Sequence, residues 1–144
     1  MKTREDTSYG IVPVRKNVDG VWEFFLIHQV SSVSNTSYWI FPKGHPEHDE
    51  SPEETARREL LEETSLTVTT LHEKTFSLYY DFMHEETLIR KTVTFFVGLV
   101  GDGTARVDGV EVIAGDWFTY DDAKSKLTYD DTKDLLREIK AHLT

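Results

Sequence analysis

Three glutamates stand close together in one short segment of the chain: Glu59, Glu62 and Glu63. At about 100° per residue of an α-helix, Glu62 lies about 60° to one side of Glu59 and Glu63 about 40° to the other, so the three carboxylates share a face. Like charges at these spacings repel, and a cation would relieve the repulsion. Mg²⁺ commonly binds carboxylates together with phosphate oxygens. The glutamates therefore indicate a metal site for phosphate chemistry, and the alternative is a solvated acidic face neutralised by Arg57 and Arg58.

The helix that must position these glutamates has clear start signals. Ser51 is a favourable N-cap, Pro52 suits the first helical position, and Glu54 follows Ser51 by three residues, as in a capping box. These signals predict a helix over residues 52–64. Ala56 and Leu60 fall beside the acidic face, and we expect this apolar edge to hold the helix against a sheet.

The helix and the loop before it follow a longer pattern. Gly44 is followed after five residues by Glu50, after seven more by Arg58-Glu59-Leu60, and then, with single-residue gaps, by Glu62-Glu63 and Ser65-Leu66. This pattern resembles the Nudix box of the Nudix hydrolases at every defining position except Ser65, where the family usually has glycine. Glycine would end the helix with a positive φ, which serine tolerates at a cost of roughly 1 kcal/mol or less.

The resemblance implies metal-assisted attack of water on a nucleoside diphosphate linked to another group, with no covalent enzyme intermediate. It implies Mg²⁺ or Mn²⁺ as cofactor. The implied metal ligands are the carboxylates of Glu59, Glu62 and Glu63 and the carbonyl of Gly44. Arg58 would orient one of the glutamates, and Glu50 would help to tie the loop to the helix. The choice of general base among the carboxylates stays open.

A second acidic segment lies downstream. Glu111 precedes Trp117 by six residues, and Asp121-Asp122-Ala123 follows. This arrangement is similar to the distal acidic segment of diadenosine polyphosphate hydrolases, which implies that Glu111 is a further metal ligand or the base. The alternative is an exposed strand glutamate beside a core tryptophan.

The same hydrolases suggest the substrate side of the site. Pro42-Lys43-Gly44-His45 resembles the run that precedes their box, which implies that Lys43 and His45 bind non-scissile phosphates; the alternative is a loop lysine and a surface histidine. Lys91-Thr92-Val93 resembles another of their segments and places Lys91 near phosphate. Tyr79 or Tyr80 could stack on adenine, although we expect at least one of the two in the core.

Composition limits the remaining possibilities. The chain has 144 residues, 38% of them hydrophobic, and we expect a single domain over 1–144. The formal net charge of −10 disfavours long nucleic acid as a partner, although bound divalent ions allow a small polyphosphate. The absence of cysteine excludes disulfides, zinc-thiolate sites and cysteine nucleophiles. A polar N-terminus and the lack of an apolar run of about 18 residues predict a soluble, cytoplasmic protein that does not enter a membrane.

The order of elements predicts a mixed sheet covered by helices, and the resemblance implies the α/β/α sandwich of the family. Predicted strands are 8–15 and 21–30 as a hairpin around 17–20, 38–41, 66–71, 75–82 and 88–100 as a hairpin around 84–86, and 110–119. Residues 31–37 are predicted as a polar loop, and Gly101-Asp102-Gly103 as the end of a strand. Helices are predicted over 121–127 and after Thr128 as N-cap, with an apolar stripe of Leu135, Leu136, Ile139 and Leu143.

Taken together, the sequence predicts asymmetric hydrolysis of diadenosine tetraphosphate-type dinucleotides to a nucleoside triphosphate and a monophosphate. The alternatives within the family are hydrolysis of RNA 5′ ends, of ADP-ribose or nucleotide sugars, or of diphosphoinositol polyphosphates. A module that binds a nucleotide without cutting it is the alternative from another class, and three intact box glutamates disfavour it. The protein is expected to be a monomer or a homodimer.

Overall fold

The computed structural model describes residues 1–31, 34–101 and 103–144. Its elements are β1 (Lys2–Lys16), β2 (Trp22–Ser31), β3 (Thr36–Ile40), β4 (Lys43–Gly44), α1 (Pro52–Thr64), β5 (Val68–His84), β6 (Thr87–Val100), β7 (Val112–Thr119), α2 (Tyr120–Lys126) and α3 (Asp130–His142). No helix among the described residues is long and apolar enough to cross a membrane.

The strands form one mixed sheet of seven strands in the order β3-β2-β1-β6-β5, with β4 paired to β1 and β7 paired to β2. β1 and β6 are parallel, and the other strand pairs are antiparallel. β1 changes its partner on one edge, because Tyr9 and Gly10 pair with β4 whereas Val14 to Lys16 pair with β2. This change brings the loop before α1 against the middle of the sheet.

Side chains alternate between the two faces of the sheet and build a core on each. One core joins Ile11, Phe25 and Ile27 of the sheet to Ala56 and Leu60 of α1. The other joins Val12, Phe24 and Leu26 of the sheet to Ala123 of α2 and to Leu135, Leu136 and Ile139 of α3. Because helices cover both faces of a mixed sheet, the predicted α/β/α sandwich is confirmed.

α1 has the predicted bounds and the predicted cap. Ser51 Oγ accepts from the backbone N–H of Glu54 at 3.2 Å, and Glu54 Oε1 accepts from the Ser51 N–H at 3.0 Å. Both halves of the capping box are therefore present. The apolar edge of the helix is buried, with Ala56 at 0% and Leu60 at 1% exposure, so the acidic face beside it is held close to the sheet.

Ser65 forms the turn for which the family usually uses glycine. Its φ of 64° and ψ of 7° lie in the left-handed region, and its N–H donates to the Leu61 carbonyl at 2.9 Å. Serine in this conformation carries a modest steric cost. The substitution thus leaves the end of α1 in the conformation expected for glycine.

Two strand predictions are wrong in their bounds. β1 begins at Lys2 rather than at residue 8, because its polar first residues pair one by one with β6, from Lys2 opposite Thr87 to Asp6 opposite Lys91. The two strands predicted over 66–71 and 75–82 are one strand, β5, whose pairing shifts register between Leu71 and Thr75. In the first case the partner strand is distant in sequence, and in the second the pairing with the next strand, β6, continues on both sides of the register shift.

Thr128 is not the cap of α3. The N-cap position is Tyr129, and no side-chain hydrogen bond caps the helix. Thr128 Oγ1 instead accepts from the backbone N–H of Trp39 at 2.8 Å and so joins the chain before α3 to β3. Of the predicted loop 31–37, Thr36 and Ser37 belong to β3, while positions 32 and 33, like Asp102, lie outside the described residues.

Candidate active site

The loop that contains β4 lies directly on the acidic face of α1. A Cβ atom added to Gly44 would overlap the carboxylate of Glu59. Glycine is therefore required at this position so that backbone and carboxylate can meet. This contact places the Gly44 carbonyl, a predicted metal ligand, next to the helix that carries the other predicted ligands.

Glu59 and Glu63 form a close pair of carboxylates, which we call the acidic pair. Burial and, next, the charge of Glu59 raise the pKa of Glu63 to about 8, against the opposing charge of Lys43. Burial also raises the pKa of Glu59, although Arg58 opposes that shift. Glu63 Oε2 is buried and has no hydrogen-bond partner among the described residues. One buried and one half-buried carboxylate side by side, with an unpartnered oxygen, repel each other when both are ionised, and either a proton or a cation relieves that repulsion.

Arg58 connects the acidic pair to the loop before α1. Its Nη1 donates to Glu59 Oε1 at 2.9 Å, and its Nε and Nη2 donate to the two carboxylate oxygens of Glu50 at 2.6 and 3.0 Å. Nη2 also donates to the His45 carbonyl at 2.9 Å. These bonds raise the pKa of Arg58 and lower that of Glu50 to about 2, so both groups stay charged. The guanidinium thus contacts a box glutamate, and the role of Arg58 in orienting Glu59 stays a prediction.

The other two predicted acidic ligands are not joined to the acidic pair. Glu62 is more exposed, and its Oε2 accepts from Arg58 Nη1 at 3.2 Å. Glu111 lies just before β7; its carbonyl accepts from the Val30 N–H at 2.8 Å, and its side chain is exposed. In the described part of the chain, no three acidic or histidine side chains form a preformed metal cage. The roles of Glu62 and Glu111 stay predictions.

Lys91 is the centre of a polar group that we call the Lys91 cluster: Asp6, Ser8, His45 and Lys91. Lys91 is only 5% exposed, and its Nζ contacts Asp6 Oδ2 at 2.8 Å, Ser8 Oγ at 2.6 Å and His45 Nε2 at 3.2 Å. His45 Nε2 also lies 3.1 Å from both carboxylate oxygens of Asp6. Burial would raise the pKa of Asp6, but the bonds from Lys91 and His45 outweigh it and lower the pKa.

A cleft of about 420 Å³ opens beside Lys43, and we call it the tyrosine cleft. Its lining residues are Tyr38, Ile40, Phe41, Lys43, Leu78, Tyr80, Val93, Phe95, Tyr129, Asp131 and Thr132. The rings of Tyr38 and Tyr129 lie 6.0 Å apart at 47°. Burial lowers the pKa of Lys43, the Lys91 charge lowers it further, and Glu63, Asp6 and Glu59 oppose this. Lys43 therefore lies between the tyrosine cleft and the acidic pair.

The structure separates the two tyrosines predicted for base stacking. Tyr80 pairs with Lys91 in the sheet and lines the tyrosine cleft, whereas Tyr79, one residue earlier, is 75% exposed and does not line it. The expectation that one of them belongs to the core is wrong, because Tyr80 is also 39% exposed. Only Tyr80 is in a position to contact a ligand in the cleft.

Sequence reasoning missed Asp6 and Ser8 of the Lys91 cluster, and Tyr38 and Tyr129 of the tyrosine cleft. Asp6 and Ser8 alternate along β1 and face Lys91 because β1 and β6 are parallel and in register there. The spacing of two residues between Asp6 and Ser8 was a signal that the two could share a face of one strand. The polar residues before Ser8, however, gave no reason to extend the predicted strand to Asp6. Tyr38 and Tyr129 come from β3 and from the start of α3, and no local pattern links them.

Comparison with known proteins identifies the same family that the sequence pattern resembles. The NUDIX domain profile matches residues 6–139. The chain belongs to the NUDIX family. The Nudix box glutamates predicted from sequence lie on α1 of this NUDIX domain, and the predictions of a Nudix hydrolase and of its fold are confirmed.

Three solved structures illustrate the similarity of this NUDIX domain to others. The C. elegans Ap4A hydrolase, as a binary complex, is 26% identical over 94% of this chain and 96% of that chain, with a TM-score of 0.75. The NUDIX domain of Shewanella oneidensis NrtR, complexed with ADP ribose, is 16% identical over 98% and 90%, with a TM-score of 0.78. The MutT protein of Methanosarcina mazei Go1 is 20% identical over 99% and 97%, with a TM-score of 0.68. The last two support the fold alone.

Proposed function

We propose that this protein hydrolyses dinucleoside polyphosphates such as diadenosine tetraphosphate asymmetrically, giving a nucleoside triphosphate and a monophosphate. One observation carries the proposal: Lys43 connects an aromatic cleft with room for a base to a pair of buried carboxylates. A nucleotide with its base in the cleft would extend its phosphates past Lys43 toward the acidic pair. Residues 1–144 would act as one catalytic domain, as a monomer or a homodimer.

The acidic pair fits a divalent cation. Glu63 Oε2 is buried without a partner in the described residues, and Glu59 is held beside it by Arg58 and by the close approach of Gly44. Carboxylate and carbonyl oxygens are the ligands that Mg²⁺ and Mn²⁺ prefer. When bound, such an ion supplies Lewis acidity toward the phosphate and activation of water. Glu62 and Glu111 are proposed as additional ligands, and Glu111 also as a candidate base.

Side chains of the tyrosine cleft would bind the base and the phosphates of the nucleotide. Tyr38, Tyr80 and Tyr129 present aromatic rings to the cleft, and stacking of a base on such rings contributes about 1–3 kcal/mol. Lys43 is desolvated, which strengthens its attraction to a phosphate. The position of the tyrosine cleft on one side of the acidic pair would make cutting asymmetric, because the base in the cleft would fix which phosphate reaches the carboxylates.

The similarity to the C. elegans Ap4A hydrolase supports this substrate over the alternatives, at 26% identity across nearly the whole chain. ADP-ribose stays an alternative substrate within the NUDIX family. The formal net charge of −10 disfavours RNA and inositol polyphosphates, which call for extended basic surfaces.

A substrate panel tests the proposal. Diadenosine tri-, tetra-, penta- and hexaphosphate, ADP-ribose, 5′-triphosphorylated RNA and an inositol pyrophosphate are incubated with the protein in Mg²⁺, and the products are separated by chromatography. We expect the highest kcat/KM for a dinucleotide, with ATP and AMP as the products of the tetraphosphate. Two ADP molecules from the tetraphosphate would contradict asymmetric cutting, and a higher kcat/KM for ADP-ribose would replace the proposed substrate.

Chelator and a variant distinguish an enzyme from a binding module. EDTA should abolish turnover, and Glu63→Gln should lower kcat by at least roughly a hundredfold, since it removes one of the two buried charges that would hold the ion. A protein that binds diadenosine tetraphosphate equally in EDTA and in Mg²⁺, and forms no product in either, would be a non-catalytic module.

A further inference from the structure

The only acidic side chain in the Lys91 cluster, that of Asp6, contacts two of the side chains predicted to bind phosphate. Asp6 accepts from Lys91 at 2.8 Å, and both of its carboxylate oxygens lie 3.1 Å from His45 Nε2. A carboxylate so placed repels the phosphates that Lys91 and His45 would otherwise attract. Neither the Nudix box nor the segments that resemble diadenosine polyphosphate hydrolases include this residue.

The bonds of Lys91 to Asp6 and Ser8 occupy two of the three donors of its ammonium group. A protonated lysine has three N–H donors, and Lys91 Nζ donates to Asp6 Oδ2 and to Ser8 Oγ; His45 Nε2, 3.2 Å away, accepts the third only in the tautomer that carries no proton on Nε2. Ser8 is 1% exposed, so water does not reach its hydroxyl oxygen to compete for Lys91. A phosphate oxygen that approaches Lys91 therefore meets an ammonium group already bonded to a carboxylate and a buried hydroxyl.

Lys43 is in a different position. Among the described residues, the ammonium group of Lys43 has no hydrogen bond or ion pair. Lys43 also lines the tyrosine cleft. The cations near the cleft are therefore unequal: Lys43 is available to a phosphate, whereas the charge of Lys91 is already balanced by Asp6.

We infer that Asp6 is a specificity-determining residue that limits how many phosphates the site binds, by neutralising Lys91 and holding it and His45 away from the polyphosphate chain. The inference rests on the proposed function in taking a polyphosphate as the ligand. Asp6 thereby makes the site prefer shorter polyphosphates. Phosphates near Lys43 are bound, and phosphates that extend to the Lys91 cluster add little to the affinity.

A structural role for Asp6 makes a different prediction. Asp6 lies in the part of β1 that pairs with β6, and its bond to Lys91 also joins these strands. If that were its whole role, its removal would loosen the edge of the site and weaken the binding of every substrate in similar proportion. A specificity role instead makes the effect depend on the number of phosphates.

Asp6→Asn tests the inference, because the amide keeps an oxygen that can accept from Lys91 while the negative charge is lost. Glu5→Gln is the matched control: it removes one negative charge from the adjacent, exposed position of β1, which faces the other side of the sheet. KM and kcat are measured for diadenosine tri-, tetra-, penta- and hexaphosphate. We expect Asp6→Asn to lower KM for the hexaphosphate roughly fivefold to tenfold and for the triphosphate less than twofold, with kcat unchanged.

A second variant covers the case in which Asp6→Asn folds poorly because Lys91 becomes a buried charge with weaker compensation. Asp6→Asn/Lys91→Met removes both charges of the ion pair, and we expect it to lower KM for the hexaphosphate less than Asp6→Asn alone does. Equal KM shifts in Asp6→Asn and Glu5→Gln would overturn the inference, as would a rise in KM of the same proportion for all four dinucleotides.

Calorimetry with inorganic tripolyphosphate and pyrophosphate in Mg²⁺ separates this inference from the proposed function. Tighter binding of tripolyphosphate by Asp6→Asn than by Glu5→Gln would support the inference even if no dinucleotide were cleaved, and the proposed function alone would fail. If dinucleotides are cleaved and the two variants bind tripolyphosphate equally, the inference alone fails.

Discussion

Replacing Glu63 by glutamine should have opposite effects on stability with and without a divalent ion. Glu63 is a mostly buried member of the acidic pair, and burial together with Glu59 raises its pKa from 4.5 to about 8. The folded protein therefore favours the protonated carboxyl. The stabilisation that the protonated Glu63 carboxyl gives the folded protein is fully present below about pH 4.5 and is lost as the pH rises through about 8.

The size of this effect follows from the pKa difference. Between 4.5 and about 8, at roughly 1.4 kcal/mol per pH unit, ionisation of Glu63 costs the metal-free folded protein up to about 5 kcal/mol. This is an upper limit, because the ionised carboxylates can move apart or admit water. Glutamine at position 63 avoids the cost and can still donate to Glu59. We expect Glu63→Gln to be roughly 1–3 kcal/mol more stable than the wild type at pH 8 in EDTA.

Urea unfolding of both proteins at pH 4.5 and 8, in EDTA and in Mg²⁺, measures these differences. The two proteins should have similar stability at pH 4.5 in EDTA. At pH 8, an Mg²⁺ concentration ten times the Kd should stabilise the wild type by about 1.4 kcal/mol and should not stabilise Glu63→Gln.

Glu53→Gln is the matched control, because Glu53 lies on the same helix and makes only an exposed ion pair with Arg57. It should change stability by less than about 0.5 kcal/mol and keep the response to Mg²⁺. A Glu63→Gln protein that is less stable than the wild type in EDTA at pH 8 would refute the reasoning. Equal stabilisation of both proteins by Mg²⁺ would refute the assignment of the ion to the acidic pair.

Three further substitutions test other parts of the site. Lys43→Ala should reduce kcat/KM for diadenosine tetraphosphate at least roughly tenfold more than for ADP-ribose, since Lys43 is proposed to contact the longer phosphate chain; equal losses on both substrates would contradict this. Tyr80→Ala should raise KM for diadenosine tetraphosphate roughly tenfold through lost stacking, while Tyr79→Ala, outside the tyrosine cleft, should leave KM within twofold; equal KM changes would remove Tyr80 from the base site. Ser65→Gly should raise the free energy of unfolding by up to about 1 kcal/mol, because φ at this residue is 64°, and should leave activity within twofold; a large loss of activity would mean that the serine itself contributes to the site.

The features that sequence predicted best are those fixed by local interactions. The start of α1 depends on Ser51, Pro52 and Glu54, which lie within four residues of one another, and the helix has the predicted bounds. The acidic pair follows from helical spacing together with the box pattern. The left-handed turn at Ser65 was also indicated, because the family places glycine there.

The features that sequence reasoning missed depend on contacts between distant parts of the chain. Residues 2–7 form a strand because β6, which follows more than eighty residues later in the chain, provides their hydrogen-bond partners. Asp6 consequently reaches Lys91. The tyrosine cleft brings together Tyr38, Tyr80 and Tyr129 from β3, β5 and the start of α3. Hydrophobic and polar periodicity specifies the face of each element but not which elements lie side by side.

The placement of the acidic glutamates differs from the sequence prediction in one respect. Helical geometry predicted that three carboxylates share one face and did not distinguish their burial; the structure buries Glu63, half-buries Glu59 and leaves Glu62 exposed and paired with Arg58. The difference arises because the loop at Gly44 covers only one side of that face. Periodicity alone does not tell which part of a helical face the preceding loop will cover.

The most direct test of the account is a crystal structure with Mg²⁺ and a non-hydrolysable analogue of diadenosine tetraphosphate. We predict an ion bound by Glu59 and Glu63, one adenine among Tyr38, Tyr80 and Tyr129, and a phosphate in contact with Lys43. Glu59 and Glu63 without an ion, or both adenines bound outside the tyrosine cleft, would contradict it.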